Sequence, residues 1–293
     1  MADWTRDDLY RLDLKYAEEG ITPHQRPMRA ARELLGSGFV IGVFENAEVE
    51  KITKTYVELL PEAKSTWPGM GIGLAASVDQ VRKLVLPVDF GTVCPEPWQA
   101  GFANAEEWWN WCRGQEAIAS GVSFAFADLL DFSVGLSTVG HQKPEAEKRW
   151  KLTQSNLADV ANTLPAAFSV DSVIQPICMV AELALKAHLV WKGADPNSFQ
   201  RRGGPGHDVV ELAKSMAQQS PYRDDPLVAE VVGKLPHYVG SRYDPAGLSR
   251  LQVVRLALGV QFVAASTLRR ISGVDFAAEM EASRRTPRQP FFP

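Results

Sequence analysis

The chain has 293 residues, carries 31 Lys+Arg against 35 Asp+Glu and is 45% apolar, proportions that exclude a disordered, collagen-like or coiled-coil chain. The length suffices for one large domain or two ordinary ones, and a net charge of −4 argues against a protein wrapped wholesale around nucleic acid. The charge is unevenly shared: residues 1–144 hold 13 Lys+Arg and 20 Asp+Glu, residues 145–293 hold 18 and 15, which points any anionic partner to the second half.

The first half reads as mostly helical. The run 39–44 suits a short strand. Asn46 opens a stretch in which Val49, Ile52, Tyr56 and Leu59 recur at helical spacing up to Pro61. Residues 66–73, dense in Gly and Pro, read as a loop. Ser77 with Gln80 resembles a capping box that opens a short helix before Pro87, and 84–90 is the second candidate strand, leaving room for one small hairpin. Asn104 and Glu107 repeat the capping signature ahead of Trp108, Trp109 and Trp111, which cannot all face one core.

The second half reads as a bundle of four or five antiparallel helices. Helical periodicity covers 145–165, then 171–192, where Val173, Ile177, Val180, Ala184 and Ala187 form a stripe on a helix apolar nearly all round, the mark of a central position. Its interior charges, Glu182 and Lys186, stand four apart in the order that favours an ion pair. A loop 193–206 follows, Asp208 caps a helix to about residue 220 with Glu211 at the reciprocal position, and 248–271 repeats apolar residues until Gly273 stops it. The expected boundary lies near 140–144, giving regions 1–140 and 145–273 with a flexible tail over 274–293.

Several familiar chemistries are missing. Cys94, Cys112 and Cys178 lie far apart with no Cys-x-x-Cys or Cys–His spacing, which predicts no metal site and fits a reducing cytoplasm. The cluster Gly69-Met70-Gly71-Ile72-Gly73 fails the dinucleotide fingerprint, because position 74 is Leu, and no Lys-Ser/Thr follows for a phosphate loop. No cofactor is expected. The charged first twenty residues do not read as a secretory signal, and the longest uncharged stretch, 65–78, is broken by Pro and Gly, so no membrane span is expected.

The segment 181–211, AELALKAHLVWKGADPNSFQRRGGPGHDVVE, is the sharpest in content. It carries the Glu182-x-x-x-Lys186 pair in an Ala/Leu-rich helix, a turn at Lys192-Gly193, and the run Gly206-His207-Asp208-Val209; Ser241-Arg242-Tyr243-Asp244-Pro245 then leads into the last long helix. In this order the motifs resemble the HEPN family of small helical bundles over roughly residues 145–273. The resemblance implies a usually dimeric bundle associated with RNA or nucleotides, in prokaryotic toxin–antitoxin or phage-defence settings, with a protein partner such as an antitoxin. Catalytic members of that family are metal-independent endoribonucleases that pair an Arg with a His across four to six intervening residues. Arg201 and Arg202 stand in that relation to His207 here, although Gly203 replaces the polar residue usual after Arg, and Arg242-Tyr243 has no His within reach. An imidazole can move the protons of a phosphodiester cleavage and a guanidinium can hold the phosphate.

Three readings follow: a non-catalytic HEPN-like module that binds RNA, a nucleotide or a protein; an endoribonuclease using Arg201 or Arg202 with His207; or a purely structural or regulatory interaction protein. His207 also fits a structural role, stapled onto Leu212 beside the Asp208 cap. Glu182, Lys186, Asp208, Arg242 and Tyr243 are then the supporting residues.

Overall fold

The computed structural model describes residues 4–39, 46–65, 69–87, 96–200, 206–236, 246–284 and 287–292. It is mainly helical, with one two-stranded sheet, and parts into two compact units, 1–68 and 69–293.

Unit 1 is built from α1 (Arg6–Glu18), α2 (Arg26–Leu35), α3 (Ala47–Leu59) and the short α4 (Glu62–Ser65). Thr5 and Asp8 form a reciprocal capping box at the start of α1, and Asn46 caps α3 as its sequence indicates. Leu9, Leu12, Ala30, Ala31, Ile52 and Tyr56 make the core. Two phenols are held by carboxylates at its edge: Tyr56 donates to Asp13 (2.6 Å) and Tyr16 to Glu33 (2.9 Å). Arg26 reaches the same Asp13 carboxylate at 2.9 Å. The expected strand at 39–44 lies, apart from Phe39, outside the described residues.

Unit 2 opens with a hairpin of β1 (Gly71–Ser77) and β2 (Gln80–Leu86), antiparallel with Ser77 opposite Gln80. This corrects two expectations, since part of the glycine-rich loop is strand and the Ser77–Gln80 helix does not form. Ser77 is buried, its hydroxyl without a partner among the described residues, and Val78-Asp79 is a tight turn. The glycines explain the strand. A Cβ at Gly71 would run into the Ser133 side chain, and one at Gly73 would lie 2.5 Å from Gln261 Oε1. Their absence lets β1 lie flush on two helices.

Those helices are α6 (Glu116–Val139) and α11 (Arg250–Ser272), and with α7 (Pro144–Thr163) and α8 (Ile174–Trp191) they form one continuous core. Before α6 comes α5 (Ala105–Trp111), on which Trp109 is 40% exposed while Trp108 and Trp111 pack against the core. Beyond α8 come α9 (Val209–Gln219), α10 (Asp225–Lys234) and, after α11, α12 (Phe276–Arg284). The boundary expected at 140–144 is therefore only the turn between α6 and α7, since Leu129, Phe132, Val160, Ile177 and Val260 share a core across it. The charge asymmetry divides with it: unit 2 as a whole holds 22 Lys+Arg against 23 Asp+Glu. Nor is 274–293 a flexible tail throughout, because α12 occupies much of it and residues 287–292 dock on the bundle through Arg288 and Phe291.

The helices spanning Glu116–Gln142, Val170–Trp191 and Arg250–Ser272 are each long and apolar enough to cross a membrane. That overturns the expectation of no such segment, which rested on an unbroken uncharged run; each helix holds an apolar 18-residue window with no more than two charged residues. Within the fold, 67%, 72% and 78% of their most apolar windows are buried against the rest of unit 2.

Gln261 ties this core together. Its Oε1 accepts from Leu74 N–H (2.9 Å), and its Nε2 donates to Leu74 C=O (3.2 Å) and Ala125 C=O (2.7 Å), so one fully buried amide satisfies both backbone groups of Leu74 on the free edge of β1 and bonds that edge to α6. Gln261→Leu leaves these groups unpaired in a dry setting, and urea unfolding is expected to show a loss of about 3 kcal/mol, the scale of orphaning buried backbone groups. A loss under about 1 kcal/mol would mean that the backbone finds other partners.

Candidate functional site

The motif Gly206-His207-Asp208 is compact and each residue has a separate task. Gly206 takes a positive φ of 54°, which turns the chain into α9. The Asp208 carboxylate accepts from Val210 N–H (3.0 Å) and Glu211 N–H (3.1 Å), satisfying the first turn of the helix. Glu211 does not complete the expected reciprocal box; its carboxylate takes Lys214 at 2.6 Å.

Between glycine and cap, His207 reaches back to α8. Its Nδ1 lies 3.0 and 3.1 Å from the two oxygens of Glu182, which therefore accept the Nδ1 proton. The structure thus directs the imidazole to Glu182, in place of the staple onto Leu212. The two side chains differ sharply in setting: Glu182 is 4% exposed and His207 63%. On the other side of the carboxylate, Lys186 Nζ donates at 2.7 Å, and its ammonium lies 5.5 Å from the centre of the Phe199 ring. Burial alone would raise the Glu182 pKa, but the hydrogen bonds and charges of Lys186 and His207 outweigh it and keep the carboxyl below its ordinary range. The result is a surface imidazole whose tautomer and orientation are set by a buried anion. Three residues singled out from sequence, Glu182, Lys186 and His207, are brought together with Asp208 beside them. Arg201, Arg202, Arg242 and Tyr243 lie outside the described residues, as do Cys94 and His237.

Elsewhere on α8, His188 is fully buried. Thr267 C=O, 2.9 Å from Nδ1, can only accept, which leaves Nε2 to accept from the Ser220 hydroxyl at 3.3 Å. Burial drives its pKa down to about 4, so it is neutral and structural.

A second charged constellation was not singled out from the sequence. Arg269 on α11 is buried and donates to Asp128 and, at 2.7 Å, to Asp131 on α6, and to Asp224 at the N-terminus of α10 (3.1 Å). Asp131 in turn accepts from Phe276 N–H (2.7 Å), fixing the start of α12, and Asp128 takes both nitrogens of Arg288 from the docked tail (2.9 and 2.6 Å). Burial pushes the Asp131 carboxyl up to about 6 against the pull of Arg269. The signal for this cluster was present as two aspartates three residues apart inside the otherwise apolar run 117–139, where unpaired charge would not be tolerated. Among the described residues no group of three or more His, Cys, Asp or Glu is arranged to hold a metal ion.

Two consequences are measurable. Arg269→Met strands several buried carboxylates and is expected to cost about 3–5 kcal/mol in denaturant unfolding. For His188, the unfolded chain binds a proton below its ordinary pKa of 6.5 while the folded chain refuses it until about 4, so stability falls as pH drops across that window. Asp131 contributes the opposite slope between about 6 and 3.8, because there the folded state is the one that holds the proton. His188→Gln should therefore remove an acid-dependent loss of up to roughly 3 kcal/mol from the stability–pH profile, and an unchanged profile would refute the buried neutral imidazole. Comparison of the chain with protein-family models, with curated proteins and with solved structures found no match, so the functional reading rests on the site's own geometry.

Proposed function

We propose that unit 2 is an HEPN-like helical module that binds RNA or a nucleotide through the surface around His207, acting as a cytoplasmic homodimer in a prokaryotic defence or toxin–antitoxin setting. One observation carries the reading: the exposed His207 imidazole is anchored through Nδ1 by the buried Glu182–Lys186 pair. A histidine that served only to pack would not need a buried carboxylate to hold it at the surface. The segment Arg201-Arg202 is separated from it by four intervening residues in sequence and supplies the cations that a phosphate would engage.

The same geometry favours one second reading, metal-independent RNA cleavage. With Nδ1 committed to the carboxylate, proton transfer falls to Nε2, and Glu182 would stabilise the imidazolium that forms during the reaction. A protein partner of antitoxin type would then restrain the activity by covering this surface.

Fluorescence anisotropy with single-stranded RNA tests the binding reading. Affinity is expected to fall between about 50 and 200 mM salt, as phosphate contacts require, and Arg201→Ala/Arg202→Ala should weaken it and flatten the salt dependence. Absence of binding at low salt would refute the proposal. Incubation of the dimer with RNA in a chelator separates the two readings: cleavage that drops by about 100-fold or more in His207→Ala assigns the imidazole a catalytic role. Binding without cleavage leaves the module reading alone standing.

A further inference from the structure

Away from His207, two adjoining cavities lie along the outer face of α6. The first, of about 330 Å³, is enclosed by α6, α11, the hairpin turn and the docked tail, with walls that include Ala117, Gly121, Phe124, Val254, Leu258 and Phe291. The second, of about 540 Å³, is bounded by Trp108, Trp109 and Met280. They share Ala117, Ser120, Phe124 and Gln289, and both volumes lie in the range of small-molecule sites, roughly 300–1,000 Å³.

The polar groups in these walls are unevenly satisfied. In the first cavity Asp128 and Arg288 neutralise each other through two parallel hydrogen bonds, and the Arg288 guanidinium lies 4.5 Å from the centre of the Phe124 ring. Arg255 is different. It is partly buried, lines the cavity, and among the described residues has no hydrogen-bonding or ionic partner. In the wall of the second cavity stands Trp108, whose buried Nε1 donor has no partner among the described residues. The charged residue of that wall, Glu116, is exposed and repels a second anion. An apolar chamber with one uncommitted cation at one end and an acid at the other selects a particular shape of ligand.

We propose that the paired cavity binds a monomeric aliphatic carboxylate, its head on Arg255 and its chain along Phe124 toward Trp108. A carboxylate matches the guanidinium fork, and a flexible hydrocarbon chain matches the apolar walls between the two ends. The site is independent of the RNA surface, so either can fail without the other.

Calorimetric titration of the full-length protein with dodecanoate below its micellar concentration, followed in parallel by tryptophan fluorescence, tests this. Saturable single-site binding with a change in tryptophan emission is expected. Arg255→Leu should weaken dodecanoate by about tenfold or more, the scale of one charge-assisted hydrogen bond, while leaving dodecanol binding unchanged. A Cβ at Gly121 meets nothing within 4 Å, so Gly121→Leu places its side chain in the chamber from an open position and should abolish the binding of both ligands in a folded protein, checked by circular dichroism. Absence of saturable binding to the wild type, or dodecanoate affinity that survives either substitution, would overturn the proposal.

Discussion

Arg269 is the point from which the end of unit 2 is assembled. Its guanidinium holds carboxylates from α6 and from the start of α10, and those carboxylates fix the start of α12 and the docked tail in turn. A planar fork with several donors is suited to this, because each oxygen can be met along its own direction, which a lysine ammonium at one point in space does not achieve. Buried ion pairs add little net stability over an apolar filling, but they are intolerant of losing one member. The network therefore acts chiefly as a selector of arrangement, since helices that slide by a turn lose their counter-charges.

The same logic accounts for the apolar composition of α6, α8 and α11. Each is hydrophobic enough for a lipid bilayer, yet the fully buried charges among them meet opposite ones: Asp128 and Asp131 meet Arg269, and Glu182 meets Lys186 and His207. Around those points the apolar faces have one another and the hairpin to pack against. The surface imidazole gains from this, because its anchor is a residue of a helix whose apolar window is mostly buried.

Much of the second half was legible from periodicity. α7, α8, α9 and α11 fall where apolar spacing and caps such as Asp208 and Gly273 put them, because local rules of helix formation are written locally. One small hairpin was expected and is present, its second strand overlapping 84–90, but its first strand was not legible. Ser77 and Gln80 mimic a capping pair, and the glycines that weaken a strand signal are required by contacts with Ser133 and Gln261 far along the chain. At the site, Glu182 and Lys186 could be paired from their spacing, but the turn of His207 onto Glu182 depends on the fold of the intervening loop. Asp128 and Arg269, 141 residues apart, could be matched by no local pattern.

The bond between Gln261 and Leu74 spans 187 residues of chain. Until α11 has left the ribosome, β1 has β2 on one edge and nothing on the other, with a row of backbone donors and acceptors open to any passing strand. The hairpin is made early in synthesis, and its protection arrives near the end. Closing a loop of this length also slows assembly, since non-local contacts must await the search that brings them together. A nascent chain stalled before residue 261 would thus present an unguarded sheet edge, and aggregation of such truncated chains would begin at Leu74.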